Sequence, residues 1–154
     1  MSVSVQEKGF DVAAEIETLT RGDTGIGAVA TFIGKVRDEA HGNKLQSMTL
    51  EHYPGMTEAE LSDIEQEAVA RFRLSASRIV HRIGPLQPGD NIVLVITCAA
   101  HRGDAFAACE FLMDYLKTRA PFWKKETGVT GEGRWVDARE CDEAALNRWL
   151  KPAS

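Results

Sequence analysis

Apolar residues recur along this chain with two periods, and the alternation between them lays out the elements. Val12, Ile16 and Leu19 stand at helical spacing behind Asp11, which predicts a capped helix over Val12–Leu19 ended by Arg21-Gly22-Asp23. Gly25–Arg37 is rich in β-branched residues and reads as a strand, with Ile33, Lys35 and Arg37 on one face and Phe32 and Val36 on the other. Asp38–Asn43 is a polar loop and Leu45–Tyr53 a second strand. After Pro54-Gly55, the pair Thr57 and Glu60 has the spacing of a capping box, and Leu61, Ile64, Ala68 and Phe72 carry a helical stripe to about Arg73. Ile79–Ile83 predicts a short strand, Gly84–Asp90 a turn, and Ile92–Ala100 a strand apolar enough to be buried on both faces. Asp104 is placed to cap a helix over Ala105–Lys117, with Ala105, Cys109, Leu112, Met113 and Leu116 on one face. Ala120 precedes Pro121 and is pushed out of the helical region, so that helix ends near Arg119. Phe122–Glu126 is then extended, Gly128–Gly133 a loop, Arg134–Ala138 a strand, and Asp142 the cap of a last helix ending near Leu150.

Short turns join strand pairs and helices separate those pairs. This predicts an α+β domain with antiparallel or mixed sheets flanked by helices, ferredoxin-like in its middle. The 154 residues fit one domain, 1–154, whose first 24 residues are weakly patterned (a short strand or an arm over 1–10). A formal net charge of -5 argues against a general nucleic-acid binder. The start, MSVSVQEKGFD, lacks the basic and apolar regions of a signal peptide, and no run of about eighteen apolar residues occurs, so the expectation is a cytoplasmic protein without a membrane segment. Three widely spaced cysteines, Cys98, Cys109 and Cys141, suit a reducing compartment better than a disulfide framework.

Against that acidic background, Met113–Glu126 (MDYLKTRAPFWKKE) places Lys117, Arg119, Lys124 and Lys125 around the Ala-Pro break, with Phe122 and Trp123 between them. One lysine at a helix end is ordinarily a solvated charge that suits the helix dipole. A cluster around a rigid break is a candidate site, where neighbouring cations make a lysine a better proton acceptor or nucleophile. His101-Arg102 lies where a long strand gives way to a helix N-terminus, an anion site unless Arg102 merely pairs with a carboxylate such as Asp104. Lys35 and Arg37, taken alone, read as edge charges that discourage strand pairing. Cys98 and His101 form a C-x-x-H pair without a second ligand pair, so no metal site is expected. Cys98 and Cys109 read as core residues, and Gly25-x-Gly27 lacks the rest of a nucleotide fingerprint. Phe122, Trp123 and Trp135 either pack in the core or stack on a flat ring. Together these features describe a basic pocket for a phosphorylated, flat small molecule, with lysine as the reactive group.

Four stretches, LEHYPGMTEAEL (Leu50–Leu61), HRIGPLQPGD (His81–Asp90), AAHRGDAF (Ala99–Phe106) and MDYLKTRAPFWKKE, together resemble the large, catalytic subunit of molybdopterin synthase. The resemblance runs in order from about Gly25 to Trp149. It implies an α/β-hammerhead-like fold with an extra antiparallel sheet, and a central homodimer carrying one small ubiquitin-like sulfur-carrier subunit at each end. The implied reaction converts cyclic pyranopterin monophosphate (precursor Z) to molybdopterin. The two dithiolene sulfurs arrive as thiocarboxylates on the carrier's C-terminal Gly-Gly, and no cofactor is implied.

Position by position, the family's substrate-binding segments fall on Lys35-Val36-Arg37, His101-Arg102, Lys117 and Lys124-Lys125-Glu126. Lys125 stands where an arginine is also found, which keeps the charge and loses the planar fork. The loop Thr127–Gly133 also differs from the family's. On this resemblance Arg37, His101 and Arg102 bind the phosphate and pterin edges, and Lys117 performs proton transfer or nucleophilic attack. Lys124 stabilises developing negative charge, Glu126 orients a lysine, and Arg139 reaches the pocket of the neighbouring protomer. Two other readings stay open at this level. One is a sulfurtransferase working through a persulfide on its own cysteine. The other is a non-catalytic module that binds a phosphorylated ligand or a ubiquitin-like tail.

Overall fold

The structure is a computed structural model, and it describes residues 2–40, 42–129, 131, 133–136, 147, 149 and 150. In chain order the elements are β1 (Val3–Gln6), α1 (Val12–Thr20), β2 (Ala28–Lys35), β3 (Glu39–Ala40), β4 (Asn43–His52), α2 (Met56–Phe72), β5 (Ala76–Arg82), β6 (Gly84–Leu86), β7 (Asn91–Ala99), α3 (Arg102–Thr118), β8 (Phe122–Gly128) and β9 (Gly133–Val136). They form two sheets, ordered β1-β5-β7-β2 and β3-β4-β8-β9, with β6 added to β4. Every pairing is antiparallel except β1 with β5. The α+β class is as expected. The middle of the chain does not close into one ferredoxin-like sheet, because β4 stays out of the first sheet and pairs with β3, β6 and β8 instead.

β7 is the spine of the first sheet. Its Val93, Val95 and Ala99 face a core built with α2 and α3, and Leu94, Ile96 and Cys98 face the apolar side of α1 through Val12, Ile16 and Leu19. Burial on both faces is why the strand reads as one apolar run. The predicted stripe of α2, Leu61, Ile64, Ala68 and Phe72, is buried in that core. β1 runs parallel to β5 at the sheet edge, and the Ser2 hydroxyl donates to the buried Glu65 carboxylate, whose Oε2 also accepts from Ser77 Oγ at 2.9 Å. The weakly patterned N-terminus is therefore part of the first sheet.

Two helix starts differ from the sequence reading. α2 is capped at Gly55, whose φ of 84° suits glycine, and the Gly55 N–H donates to the Glu58 carboxylate. Thr57 is thereby freed from capping and turns inward. α3 starts at Arg102 with His101 as N-cap, so Asp104 lies inside the first turn, where its charge still suits the dipole. Gly84–Asp90, expected as a turn, contains β6, and the expected strand Gly25–Arg37 is trimmed to β2 with a bulge between Gly34 and Lys35. The final helix expected from Asp142 falls largely outside the described residues.

Trp149 closes the seam between α2 and α3. It sits edge-on to Phe72 and Phe111, its indole N–H donates to Asp114 Oδ2 at 2.5 Å, and Arg71 donates to its carbonyl at 3.0 Å. Arg71 also lies 5.5 Å over the indole ring. Replacing Trp149 with alanine removes a large apolar body and the indole donor to Asp114, while the Arg71 bond to the backbone carbonyl remains. The expected loss of stability is about 2–3 kcal/mol, read as a shift in the urea midpoint at unchanged slope.

Candidate active site

The site begins at the Ala-Pro break. α3 ends at Thr118, and Pro121 hands the chain to β8, which runs antiparallel to β4 with Phe122 opposite His52, Lys124 opposite Leu50 and Glu126 opposite Met48. Thr57, fully buried, holds this corner: its hydroxyl accepts from Tyr53 N and donates to Pro121 O, both at 3.0 Å. The two-residue period puts Phe122, Lys124 and Glu126 on one face of β8, beside Met48 and Leu50 of β4. Val36 is buried in the same small apolar cluster with Met48, Leu50 and Leu86. Its backbone is fixed by Val36 N to Asp90 O at 2.9 Å and Gly89 N to Val36 O at 2.7 Å. This anchors Lys35-Val36-Arg37 against the strands that carry Lys124 and Glu126. Lys35 and Arg37 are exposed, and Lys35 donates to Asn91 Oδ1 at 2.6 Å.

Lys124 is half-buried, and its Nζ lies 3.5 Å from Glu126 Oε1. Glu126 is 4% exposed, and its other oxygen, Oε2, is buried without a hydrogen-bond partner. Such an acceptor is costly to leave unpaired. Lys117, exposed in the last turn of α3, joins this end through His81: its charge, together with that of His52, acts on the His81 ring. His81 stacks on Phe122 with centroids 3.8 Å apart and planes 17° apart. Burial pushes its pKa from 6.5 down to about 4, a backbone hydrogen bond to Arg82 opposes this, and Lys117 and His52 lower it further. From sequence, Thr57 reads as a helix cap rather than a corner of the site, and His81 carries no assigned role. The available signal was parity, since His81 shares a strand face with buried Ile79.

His101 and Arg102 are not brought to this end. They stand at the opposite end of α3 from Lys117, roughly 22 Å along the helix axis at 1.5 Å per residue. The antiparallel pairing of Ala28 with Ala99 and Lys35 with Asn91 likewise separates them from Lys35 by the length of β2. Arg119, counted in the basic cluster, turns to α2 instead: it bonds Glu60 at 2.7 Å, pairs with Glu67 at 3.5 Å and lies over the Tyr115 ring. Lys125 is exposed on the outer face of β8, as is Trp123, which packs edge-on against Tyr53 at 4.3 Å. Trp135 is exposed as well, so of the three aromatics only Phe122 packs inward. Arg139 lies outside the described residues. Cys98 and Cys109 are buried, and burial raises both thiols, Cys109 to about 11, which makes them poor thiolates. Cys141 also lies outside the described residues.

Two consequences can be measured. Thr57→Val keeps the shape but leaves Tyr53 N–H and Pro121 C=O unpaired, for an expected loss of about 1–3 kcal/mol by chemical unfolding. For His81, the unfolded ring takes up its proton near 6.5 and the folded ring near 4, so the unfolded chain binds more protons in between. Stability therefore falls as pH drops through that window and the term is constant below it. His81→Phe should remove up to about 3 kcal/mol of this acid-induced loss, measured by urea midpoints at neutral pH and near pH 4.

Residues 5–119 match the family described as MoaE protein. The chain is 55% identical over 148 residues to a molybdopterin synthase catalytic subunit of Ralstonia nicotianae, covering 96% of this chain and 84% of that one. It is 54% identical to the protein of the same name from Vibrio cholerae, over 96% of this chain and 97% of that one. Among solved structures, the molybdopterin biosynthesis MoaE protein of Burkholderia ambifaria superposes with a TM-score of 0.83 at 53% identity, covering 98% and 99% of the two chains. Molybdopterin synthase from Staphylococcus aureus gives 0.81 at 32% identity, covering 88% and 97%. With the family match spanning most of the chain and relatives above half identity over nearly all of it, the chain belongs to the MoaE family of molybdopterin synthase catalytic subunits.

Proposed function

We propose that the end of the molecule carrying Lys117, Lys124, Glu126 and Lys35-Val36-Arg37 is the sulfur-transfer site of this molybdopterin synthase catalytic subunit. The enzyme converts precursor Z to molybdopterin. The observation that supports the placement is the pairing of β8 with β4 beside the Val36 cluster, with Glu126 holding a buried, unpartnered oxygen beside Lys124 just past the break that follows Lys117. Each sulfur arrives on the C-terminal thiocarboxylate of a small ubiquitin-like carrier, and two transfers build the dithiolene. Lys117 moves the proton or attacks the thiocarboxylate carbon, in which case the C–S bond breaks and the released sulfide adds to the pterin; Lys124 stabilises the developing anion, and Glu126 orients Lys124. Lys125, on the outer face of β8, flanks the site and adds to its positive field.

A solved complex from Helicobacter pylori, 18% identical with a TM-score of 0.71, joins subunits 1 and 2 of molybdopterin-converting factor, and we infer the same kind of small partner here. The reading also calls for a homodimer. One chain holds the lysines and Arg37 at one end and His101-Arg102 at the other, so a complete phosphate and pterin site draws His101, Arg102 and Arg139 from a second copy. β2 is an edge strand with Val29 and Ile33 exposed on one face and Phe32 on the other, an apolar edge for that copy. The protein works in the cytoplasm, where its cysteines stay reduced.

The experiment is reconstitution with precursor Z and a thiocarboxylated carrier. Lys117→Ala should lower turnover at least ~100-fold while carrier binding, followed by calorimetry, changes little. Near-normal transfer by that variant would remove Lys117 from its role. Absence of turnover by the unmodified chain would favour a binding module, and loss of activity on removing all cysteines would favour the persulfide route. Mixing inactive Lys117→Ala and His101→Ala chains under exchange should restore about a quarter of wild-type activity, because half the dimers are mixed and each has one intact composite site. No recovery means both residues serve one chain's site. Arg139→Ala should weaken substrate affinity.

A further inference from the structure

The turn from Gln87 into Asn91, the first residue of β7, has no part in the proposed chemistry. Yet it grips the strand end that carries Lys35, Val36 and Arg37 at three points. Val36 N donates to Asp90 O at 2.9 Å, and Gly89 N donates to Val36 O at 2.7 Å. Lys35 Nζ donates to Asn91 Oδ1 at 2.6 Å. The first two bonds hold backbone, and the third holds a charge.

Asn91 is a firm anchor for that charge. The turn before it is closed by Gln87 N donating to Asp90 Oδ2 at 2.8 Å and Asp90 N donating to Gln87 O at 3.0 Å. From β5, Arg82 Nη1 donates to Asn91 O at 3.3 Å, while its Nε and Nη2 donate to Glu7 O at 3.2 and 3.0 Å. Opposite, the register of β2 on β7 shifts between Gly34 and Lys35. Gly34 pairs with Val93 and Lys35 with Asn91, so Ile92 is the extra residue of a bulge, packed against the Val36 cluster. Bulges re-aim the side chains beside them. A Cβ at Gly34 would lie 2.6 Å from Val93 Cγ1, so this approach of the two strands admits only glycine. Bulge, turn and Arg82 together fix where the Asn91 amide stands.

We propose that Asn91 is a positioning residue for Lys35: its amide oxygen holds the Lys35 ammonium in place to meet an anionic group of the substrate. This rests on the reading that Lys35-Val36-Arg37 belongs to the substrate site. An ammonium only donates, so Asn91 must turn its oxygen, not its NH₂, toward it. One of the three ammonium protons goes to Asn91, and the others remain for a phosphate. A long side chain that is already held gives up less rotamer freedom when the anion arrives. The benefit therefore falls on substrate binding and not on the chemical step. Because the bond is exposed to water, it adds little to folding.

The test uses the enzyme with its thiocarboxylated carrier at saturation and varied precursor Z. Asn91→Ala should raise KM about fivefold with kcat within about twofold of wild type and the urea midpoint unmoved. Asn91→Asp, which keeps an acceptor at the same place, should bring KM back to within about twofold of wild type. Lys35→Met should raise KM about tenfold, and adding Asn91→Ala to it should raise KM no further, since nothing is left to hold. An unchanged KM in Asn91→Ala overturns the proposal. So does a KM that Asn91→Asp fails to restore, or a full Asn91→Ala effect that persists without Lys35. If Lys35→Met leaves KM unchanged, the placement of Lys35 in the substrate site fails. If Lys35→Met raises KM and Asn91→Ala does not, only the Asn91 pairing fails.

Discussion

The hydroxyl of Thr57 is one small group on which three segments depend. It takes the Tyr53 N–H where β4 leaves its sheet, sits in the first turn of α2, and gives its proton to the carbonyl of Pro121. Pro121 brings no N–H of its own to the corner, and the residue before it cannot be helical. The direction in which β8 departs from α3 is thus set by Pro121's carbonyl being satisfied at a fixed place. Once that direction is set, antiparallel pairing with β4 places Phe122, Lys124 and Glu126 in turn opposite His52, Leu50 and Met48. A shift of one residue would send Lys124 and Glu126 to the outer face and bring Trp123 and Lys125 inward.

Electrostatics then sorts the basic cluster into two jobs. Arg119 is spent on holding α3 to α2 through Glu60, Glu67 and the Tyr115 ring, a fork-shaped use that a lysine would serve poorly. Lys124 faces a nearly buried carboxylate that has a second oxygen still unpartnered, so the pair retains capacity for one more donor. Lys117 stays at a helix C-terminus, where the dipole favours its cationic form. Four like charges in nine residues are tolerable because Arg119 and Lys124 are among those held by partners, each by a carboxylate, while Lys125 is exposed to water.

Much of this was readable in advance, and the limits follow from what a linear pattern encodes. The stripes of α1, α2 and α3 and the double burial of β7 were legible because period and apolarity report directly on which side faces a core. The Ala-Pro break was legible because its steric rule is local. Cap positions were not: Thr57 has the composition of an N-cap, but Gly55 at φ 84° starts the helix two residues earlier and frees Thr57 for the interior. β6 was hidden in a Gly-Pro segment because pairing to β4 is a long-range event that local turn propensity does not report. His81 was overlooked for the same reason, since its importance lies in Phe122, a partner 41 positions away in sequence.

Helix α3 acts as a ruler that one chain cannot fold away. Its first turn carries His101 and Arg102, its last carries Lys117, and buried residues between them, from Ala105 to Leu116, fix it along β7 and β2. No local rearrangement brings its two ends together without unpacking the core. If all these cations serve one phosphorylated pterin, the shortest solution is a second copy related by a two-fold axis. Such symmetry makes any contact between opposite helix ends occur twice. On the proposed reading a dimer of this kind would hold two composite sites and an isolated chain none, which would couple assembly to catalysis. It also explains why the resemblance assigns substrate contacts to both ends of a helix that a single molecule keeps far apart.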